Sequence, residues 1–454
     1  RGELMQQTAN LKKVLGLPDV MGIAIGQIIG AGVMSLTGIG IQMTGSGITP
    51  AFVISSILTL VTMFPIAILS SAIPTTGGMY QYTSRLLSPK IGVFWLLLFL
   101  LLQITLALYA LSFAQYLESI YPGVPIKWVA LTLMTILFIV NIIGVKSASY
   151  IGNLMVVVLI VALSCFIIYG LPHTNVAVFN SHDMFPDGFT GFFTAVGLVS
   201  FATGGAQVVA ELGGEMKRPH RDIPIVIVVA TIFVGLLYAF IASIAVGVLP
   251  ISEVAGQPLT SVAQTVLPRP IFIFFIVGGA MFALATTLNS TLTWVTKSLL
   301  VAIQDGYLPS QLGAVNKRFG TPHWLLILFY IIGAFPIITG MSLTVVAQLG
   351  TGISLLVFAF PALAVLRLPK RYPEAYQRSP LKVPYPLLVS ISVLAIGLLL
   401  YQSYLLISDL QLVYIIGTLV YIILAAGIAY LSRTPQNYEI ASPALLATKQ
   451  SPEG

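Results

Sequence analysis

Hydrophobic residues in this chain run together in long blocks, at positions 17–44, 50–71, 91–117, 127–143, 149–170, 191–216, 223–249, 270–303, 323–340, 343–366, 385–406 and 411–432. A helix rises about 1.5 Å per residue and the hydrocarbon layer of a bilayer is about 30 Å thick, so each block has the length that a membrane crossing needs. The pattern predicts an all-α polytopic membrane protein with twelve transmembrane helices. Polar segments divide it. Residues 1–16 lead in, 171–190 form an ordered loop rich in Pro, Asn, Asp and Gly, and 367–384 connect the tenth span to a final pair at 385–432. Residues 433–454 make a polar tail without periodicity.

Two blocks carry glycines where a helix should be unbroken. Gly30-Ala31-Gly32 lies at the centre of the first span and Thr203-Gly204-Gly205 at the centre of the sixth. Glycine costs about 1 kcal/mol against alanine in a helix interior. A break inside a bilayer leaves N–H and C=O groups that need partners, and it is tolerated only where the segment is buried in protein or lines a polar cavity. The matching positions predict two copies of a five-helix unit, residues 17–170 and 191–366, with the site where the breaks meet. An odd number of crossings turns the second copy over, so the repeat is inverted. For the first span a plainer alternative is that Gly22, Gly26 and Gly30, spaced by four, form a stripe for close helix packing.

Composition agrees, and charge adds sidedness. Hydrophobic residues make up 57% of the chain and charged residues 8%, against about a quarter charged in soluble domains. With the N-terminus in the cytoplasm, every Lys and Arg falls on the cytoplasmic side except Lys127, Arg269 and Lys297, the last within the eighth span. The net charge of +7 then reflects topology and not a nucleic-acid partner. The lipid bilayer is the expected partner, and the plasma membrane the expected location. A single cysteine, Cys165, excludes an internal disulfide and reads as a small buried residue.

The breaks suggest their own chemistry. N–H groups released around Ile29, Gly30, Ala31 and Gly32, at the start of the outer half-helix, form a cradle for a carboxylate. Carbonyls released at Phe201, Ala202 and Thr203, with Gly204 completing the break, accept from an ammonium group. Together they recognise a zwitterion without a charged side chain. Glu118, Glu211, Glu215, Asp222 and Asp305 fall toward loop ends and Asp19 opens the first span, so no acid is expected at the centre. Gln103 is a lone amide in an apolar third span, satisfied either by facing the site or by bonding between helices. Asn289, Ser290 and Thr291 in the eighth span suit substrate hydrogen bonds, a Na+ site beside the first break, or backbone capping. Lys297 is a membrane-embedded charge and so a candidate coupling residue, although its place near the cytoplasmic end also lets it snorkel. Residues 74–87, PTTGGMYQYTSRLL, read as an interfacial elbow on the cytoplasmic face. His173, His182, His220 and His323 lie at loops without ligand spacing, so neither a metal nor another cofactor is expected. The sequence carries no zinc-protease or P-loop motif and no paired aspartates, which turns the reading away from an enzyme.

IGQIIGAGV in the first span, GGEMKRPHRDIP at Gly213–Pro224 and TTLNSTLTWVTKSLLVAIQDGYLP at Thr286–Pro309 resemble the amino acid-polyamine-organocation transporter family, over residues 10–430. The resemblance implies the five-plus-five inverted-repeat fold with two additional helices, and transport of an amino acid or its amine product. It also implies that Gln103 lies beside the substrate and that Phe201 closes over it as a gate; alone, Phe201 would read as simple packing. Two departures bear on coupling. Some relatives carry a lysine midway along the fifth span, where this chain has NLMVVVLIVALS (Asn153–Ser164), and many carry a glutamate at the position of Gln207. With neither proton carrier, amino-acid exchange is the expected activity, and proton or sodium symport and polyamine transport are the alternatives. The neutral lining of Gln103, Phe201, Gln207 and Thr291 favours a zwitterionic neutral amino acid. Gly30→Val or Gly32→Val is expected to abolish binding while leaving folded protein.

Overall fold

The computed structural model describes residues 15–30, 32–75, 77–143, 149–180, 184–213, 216–314 and 321–432. Ala31, Lys146, Glu215, Lys317, Arg318, the lead-in before Leu15 and the tail from Arg433 lie outside them. Each of the twelve predicted spans has a helical counterpart. Among the described residues nine stretches are long and apolar enough to cross a membrane, the first of them, Leu17–Ala72, covering two predicted spans. Gly188–Thr203 and His323–Thr339, the sixth and ninth spans, are shorter apolar helices.

Helix ends follow local chemistry. Ser88 Oγ accepts from Ile91 N–H at 3.2 Å with Pro89 in the first turn of the third span, and Ser342 Oγ accepts from Val345 N–H at 3.3 Å before the tenth. Asp19 Oδ2 accepts from Gly16 N–H at 2.9 Å, so this carboxylate caps the first span. The eighth span stops at Asp305-Gly306. Tyr307 N–H bonds Ala302 O and Gly306 N–H bonds Ile303 O, both at 3.0 Å, around Gly306 at φ +88°. This is a Schellman turn, whose left-handed residue accounts for the glycine.

Contacts between connections sort into two ends. At one end Arg367 Nη1 donates to Leu87 O at 2.8 Å, Ser71 Oγ to His220 O at 2.7 Å, and Lys217 N–H to Leu15 O at 2.9 Å. At the other, Ser46 Oγ donates to Val178 O at 3.1 Å, Asn175 N–H to Gly247 O at 2.8 Å, Gly256 N–H to Gly38 O at 2.7 Å, and Lys127 Nζ to Ile338 O at 2.8 Å. Successive connections thus alternate between ends, as up-and-down spans require. The first end carries Arg85, Lys217 and Arg367 and is called the basic face below.

The second span, Ile48–Ala72, packs against the sixth, seventh and eleventh, with its hydroxyls Ser55 and Thr59 turned to Thr203. In the fourth and twelfth spans only 11% and 17% of the most apolar segment is buried, so these helices face lipid. The elbow differs from its sequence reading. Gly78–Tyr82 and Thr83–Leu87 are helical and mostly buried beneath the bundle. Its polar groups find protein partners: Tyr80 Oη donates to Asp305 Oδ2 at 3.0 Å and Arg85 Nη2 pairs with Asp305 Oδ1 at 2.6 Å. A segment whose polar side is satisfied inside the protein has no need of the headgroup layer.

Candidate functional site

The first span is helical from Leu17 to Ile28 and resumes at Gly32 as a widened turn that leads into Thr37–Thr44. Ile29, at φ −82° and ψ 80°, has left the helical region. The carbonyl of Ile28 accepts from Tyr238 Oη of the seventh span at 2.9 Å and from Gly30 N–H at 3.0 Å, and Ile29 N–H bonds Ile25 O at 2.8 Å, so these two predicted donors are not released by the break. The sixth span is helical to Thr203, turns at Gly204 and Gly205, and continues as a tight coil over Ala206–Glu211. Gly205 sits at φ +126°, a conformation that side chains resist, and its N–H donates to Gln207 Oε1 at 2.7 Å. Gln207 therefore closes the break with its own carboxamide.

The two breaks touch. A Cβ at Gly32 would fall 2.6 Å from Cα and Cβ of Ala202, and one at Gly205 would fall 3.2 Å from Cα of Ile28. A Cβ at Gly30 would meet Thr287 Oγ1 at 2.7 Å. Gly30, the glycine common to the two alternatives in the sequence, thus stands both at the interruption and in close packing.

Beside the crossing lies a cavity of about 1100 Å³, its open mouth included, reaching from Gly32 and Gly204 to Met79 and Glu211. Of the residues predicted for the site, Gly32, Gln103, Phe201, Gly204, Gln207 and Thr291 line it. The others are held elsewhere. Ile29 is fully buried, Gly30 abuts Thr287, Ala202 packs on Gly32, and Thr203 bonds Ser55 at 3.1 Å and Thr59 at 2.9 Å. Asn289 Oδ1 accepts from Asn141 Nδ2 at 2.6 Å, tying the eighth span to the fourth. Lys297 is half-buried within electrostatic reach of Glu211. Ala31 and the side chain of Ser290 lie outside the described residues.

Gln103 donates from Nε2 to Phe99 O at 3.0 Å, in the tight turn Gln103–Thr105 that interrupts the third span. Thr291 Oγ1 donates to Thr287 O at 2.8 Å. Phe201 is half-buried with its ring centre 6.4 Å from that of Tyr109. Trp95 stacks on Phe99 at 5.0 Å, Phe99 lies 6.2 Å from Trp294, and Trp95 Nε1 bonds Val357 O at 3.0 Å, which makes one wall aromatic and rigid.

Two groups were missed in the sequence. Glu211, assigned to a loop end, is buried and lines the cavity. Its Oε1 accepts from Met79 N–H at 3.1 Å and its Oε2 from Ser298 Oγ at 3.4 Å. The signal was its place just past the Gly204-Gly205 break, where a short coil replaces a full half-helix. Thr351 and Ser354 of the tenth span and Gln402 of the eleventh also line the cavity. They stand among other polar residues, Gln348 before the first two and Ser403 beside the last, so the argument that singled out Gln103 as a lone amide did not reach them.

A polytopic helical chain with a polar and aromatic cavity beside two crossing helix breaks belongs to the membrane transporters. The family model for amino acid permeases matches residues 15–425, and the chain belongs to that family. It is 28% identical over 396 residues to the branched-chain amino acid permease BcaP of Bacillus subtilis (strain 168), covering 80% of this chain and 83% of that one. The methylthioribose transporter of the same organism is 28% identical over 91% of this chain and 94% of its own length. The serine/threonine exchanger SteT, also from that organism, is 29% identical over 71% of this chain and 75% of its own. The protein is therefore a multi-pass membrane transporter of the amino acid permease family and not an enzyme.

Proposed function

We propose that this permease carries small neutral amino acids across the plasma membrane by alternating access, with exchange as its main activity. The observation that carries the reading is the contact of two interrupted spans, Gly32 on Ala202, at the edge of a cavity lined mainly by neutral side chains. The first break receives the substrate carboxylate at Gly32, which lines the cavity, and carbonyls of the second receive its ammonium. Gln103, Phe201, Gln207 and Thr291 surround the remainder, and Phe201 acts as the gate.

The basic face is assigned to the cytoplasm by the charge rule. On that assignment the cavity lies on the inner side of the breaks. Their outer side is closed by Tyr116 Oη donating to Met34 O at 2.6 Å and by Gly256 N–H on Gly38 O. The conformation is thus an inward-facing member of the transport cycle.

Exchange is favoured because Glu211, the one acid lining the cavity among the described residues, is already hydrogen-bonded to the protein, and SteT is a relative named as an exchanger. The relatives' names cover branched-chain, hydroxylated and thioribose cargo, so none is transferred. Proton symport has one observation in its favour, the carboxylate of Glu211, but that group is held by Met79 N–H and Ser298. A Na+ site loses Asn289, whose carboxamide oxygen is bonded to Asn141. Uptake of radiolabelled amino acids into proteoliposomes tests the reading. Preloaded vesicles are expected to take up label several-fold faster than empty ones, with little response to imposed Na+ or pH gradients. Concentrative uptake into empty vesicles driven by either gradient would overturn exchange, and absence of any amino-acid uptake would overturn the whole reading.

A further inference from the structure

The cavity has a wall that the two breaks do not explain. Thr351 of the tenth span and Gln402 of the eleventh line it, with only 1% and 4% of their surface exposed. Both carry a polar atom without a protein partner among the described residues, Thr351 Oγ1 and Gln402 Nε2. Their positions are fixed by their immediate neighbours. Ser403 Oγ donates to Gly352 O at 2.8 Å, which locks the residue after Gln402 to the residue after Thr351 and holds the two spans in register. On its other side the eleventh span lies against the sixth, where a Cβ at Gly197 would come 3.5 Å from Cβ of Gln402. A hydroxyl and a carboxamide therefore belong to one rigid wall, their unpaired atoms just beneath its surface, next to Leu355 and Val357, which show that apolar residues also fill this wall.

Desolvated polar groups without partners cost free energy, and two belonging to residues that line one cavity are accounted for when the side chains turn to a ligand that satisfies them. Each can both donate and accept a hydrogen bond, and neither is charged. Their complement is a side chain that also donates and accepts without charge. We propose that Thr351 and Gln402 form the subsite for the substrate's side chain, and that it takes hydroxyl- or carboxamide-bearing amino acids in preference to aliphatic ones of the same shape. This rests on the reading of the breaks as the zwitterion site.

Threonine and valine, alike in shape, isolate the effect, because a site that hydrogen-bonds a hydroxyl discriminates strongly against the analogue lacking it whereas an apolar pocket does not. In proteoliposomes, competition against radiolabelled serine is expected to give threonine an apparent affinity at least about ten-fold above that of valine. Thr351→Val combined with Gln402→Leu is expected to bring that ratio near one, and Thr351→Ser to keep it. Because the readout is a ratio within one protein, loss of expressed protein does not mimic it, and the wild-type ratio decides even where the double variant does not fold. Wild-type protein that takes valine as well as threonine, or a double variant with an unchanged ratio, overturns the subsite. Failure to transport any amino acid overturns instead the reading beneath it.

Discussion

Gly32 and Gly30 stand two residues apart in the sequence and meet different neighbours. The atom that a side chain at Gly32 would strike belongs to the backbone of Ala202, whereas at Gly30 it belongs to the Thr287 side chain. Backbone cannot step aside, so Gly32→Ala is expected to spread the two broken spans at a cost of about 1–3 kcal/mol, read as a lower Tm of the purified protein together with lost uptake. The expectation that Gly32→Val would leave folded protein is revised accordingly. Gly30→Ala is expected to be rescued in large part by Thr287→Ala, which removes the two nearest opposing atoms and leaves only Cβ at 3.2 Å. An equal fall in Tm with and without the second substitution would mean that the backbone around Gly30 is the limit. Phe201 contributes one half-buried ring to the cavity, and Phe201→Ala is expected to slow turnover more than it weakens equilibrium binding. Unchanged turnover in liposomes would remove its gating role.

Among the elements, the elbow is the one whose location most changes the mechanism. Arg85 and Asp305, with side chains 12% and 8% exposed, join it to the end of the eighth span. Glu211 joins it to the sixth. Removing one member of a buried pair strands the other charge, so Asp305→Ala is expected to cost about 3–5 kcal/mol, while Arg85→Met with Asp305→Leu recovers most of it. Thermal unfolding of the two variants in detergent checks this, and a double variant no more stable than the single would show that the pair does more than satisfy itself. The helical spans and both breaks were legible because bilayer thickness and glycine act locally, within one stretch of residues. The elbow was read as interfacial because its tyrosines and Arg85 look alike whether they face headgroups or Asp305, more than two hundred residues away. Glu211 and Gln402 were passed over for the same reason. Which polar group in an apolar run faces a cavity depends on helix rotation and on the neighbouring helix, and neither is written in a single stretch.

For the molecule as a whole, with the basic face assigned to the cytoplasm as proposed, the asymmetry between a closed outer side and a cavity on the inner side can be altered at a single hydrogen bond. Tyr116→Phe removes the donor to Met34 O, a bond worth about 0.5–1.5 kcal/mol, enough to shift a two-state population about five-fold. Ser200 lines the cavity, so Ser200→Cys in a Cys165→Ser background supplies a reporter. An impermeant thiol reagent is expected to label it in inside-out vesicles, and Tyr116→Phe to raise its labelling in right-side-out ones. Equal labelling from both sides in the parent protein would contradict the inward-facing assignment. The basic-face ends of the two broken spans are also joined, by the bridge between Leu15 and Met216 and the bond from Lys217 N–H to Leu15 O. Both partners are main chain, so apart from proline at Lys217 no side-chain substitution deletes the donor. Main-chain bonds of this kind favour movement of the two half-helices as a single leaf, and a door with one leaf has no position in which half of it stands ajar.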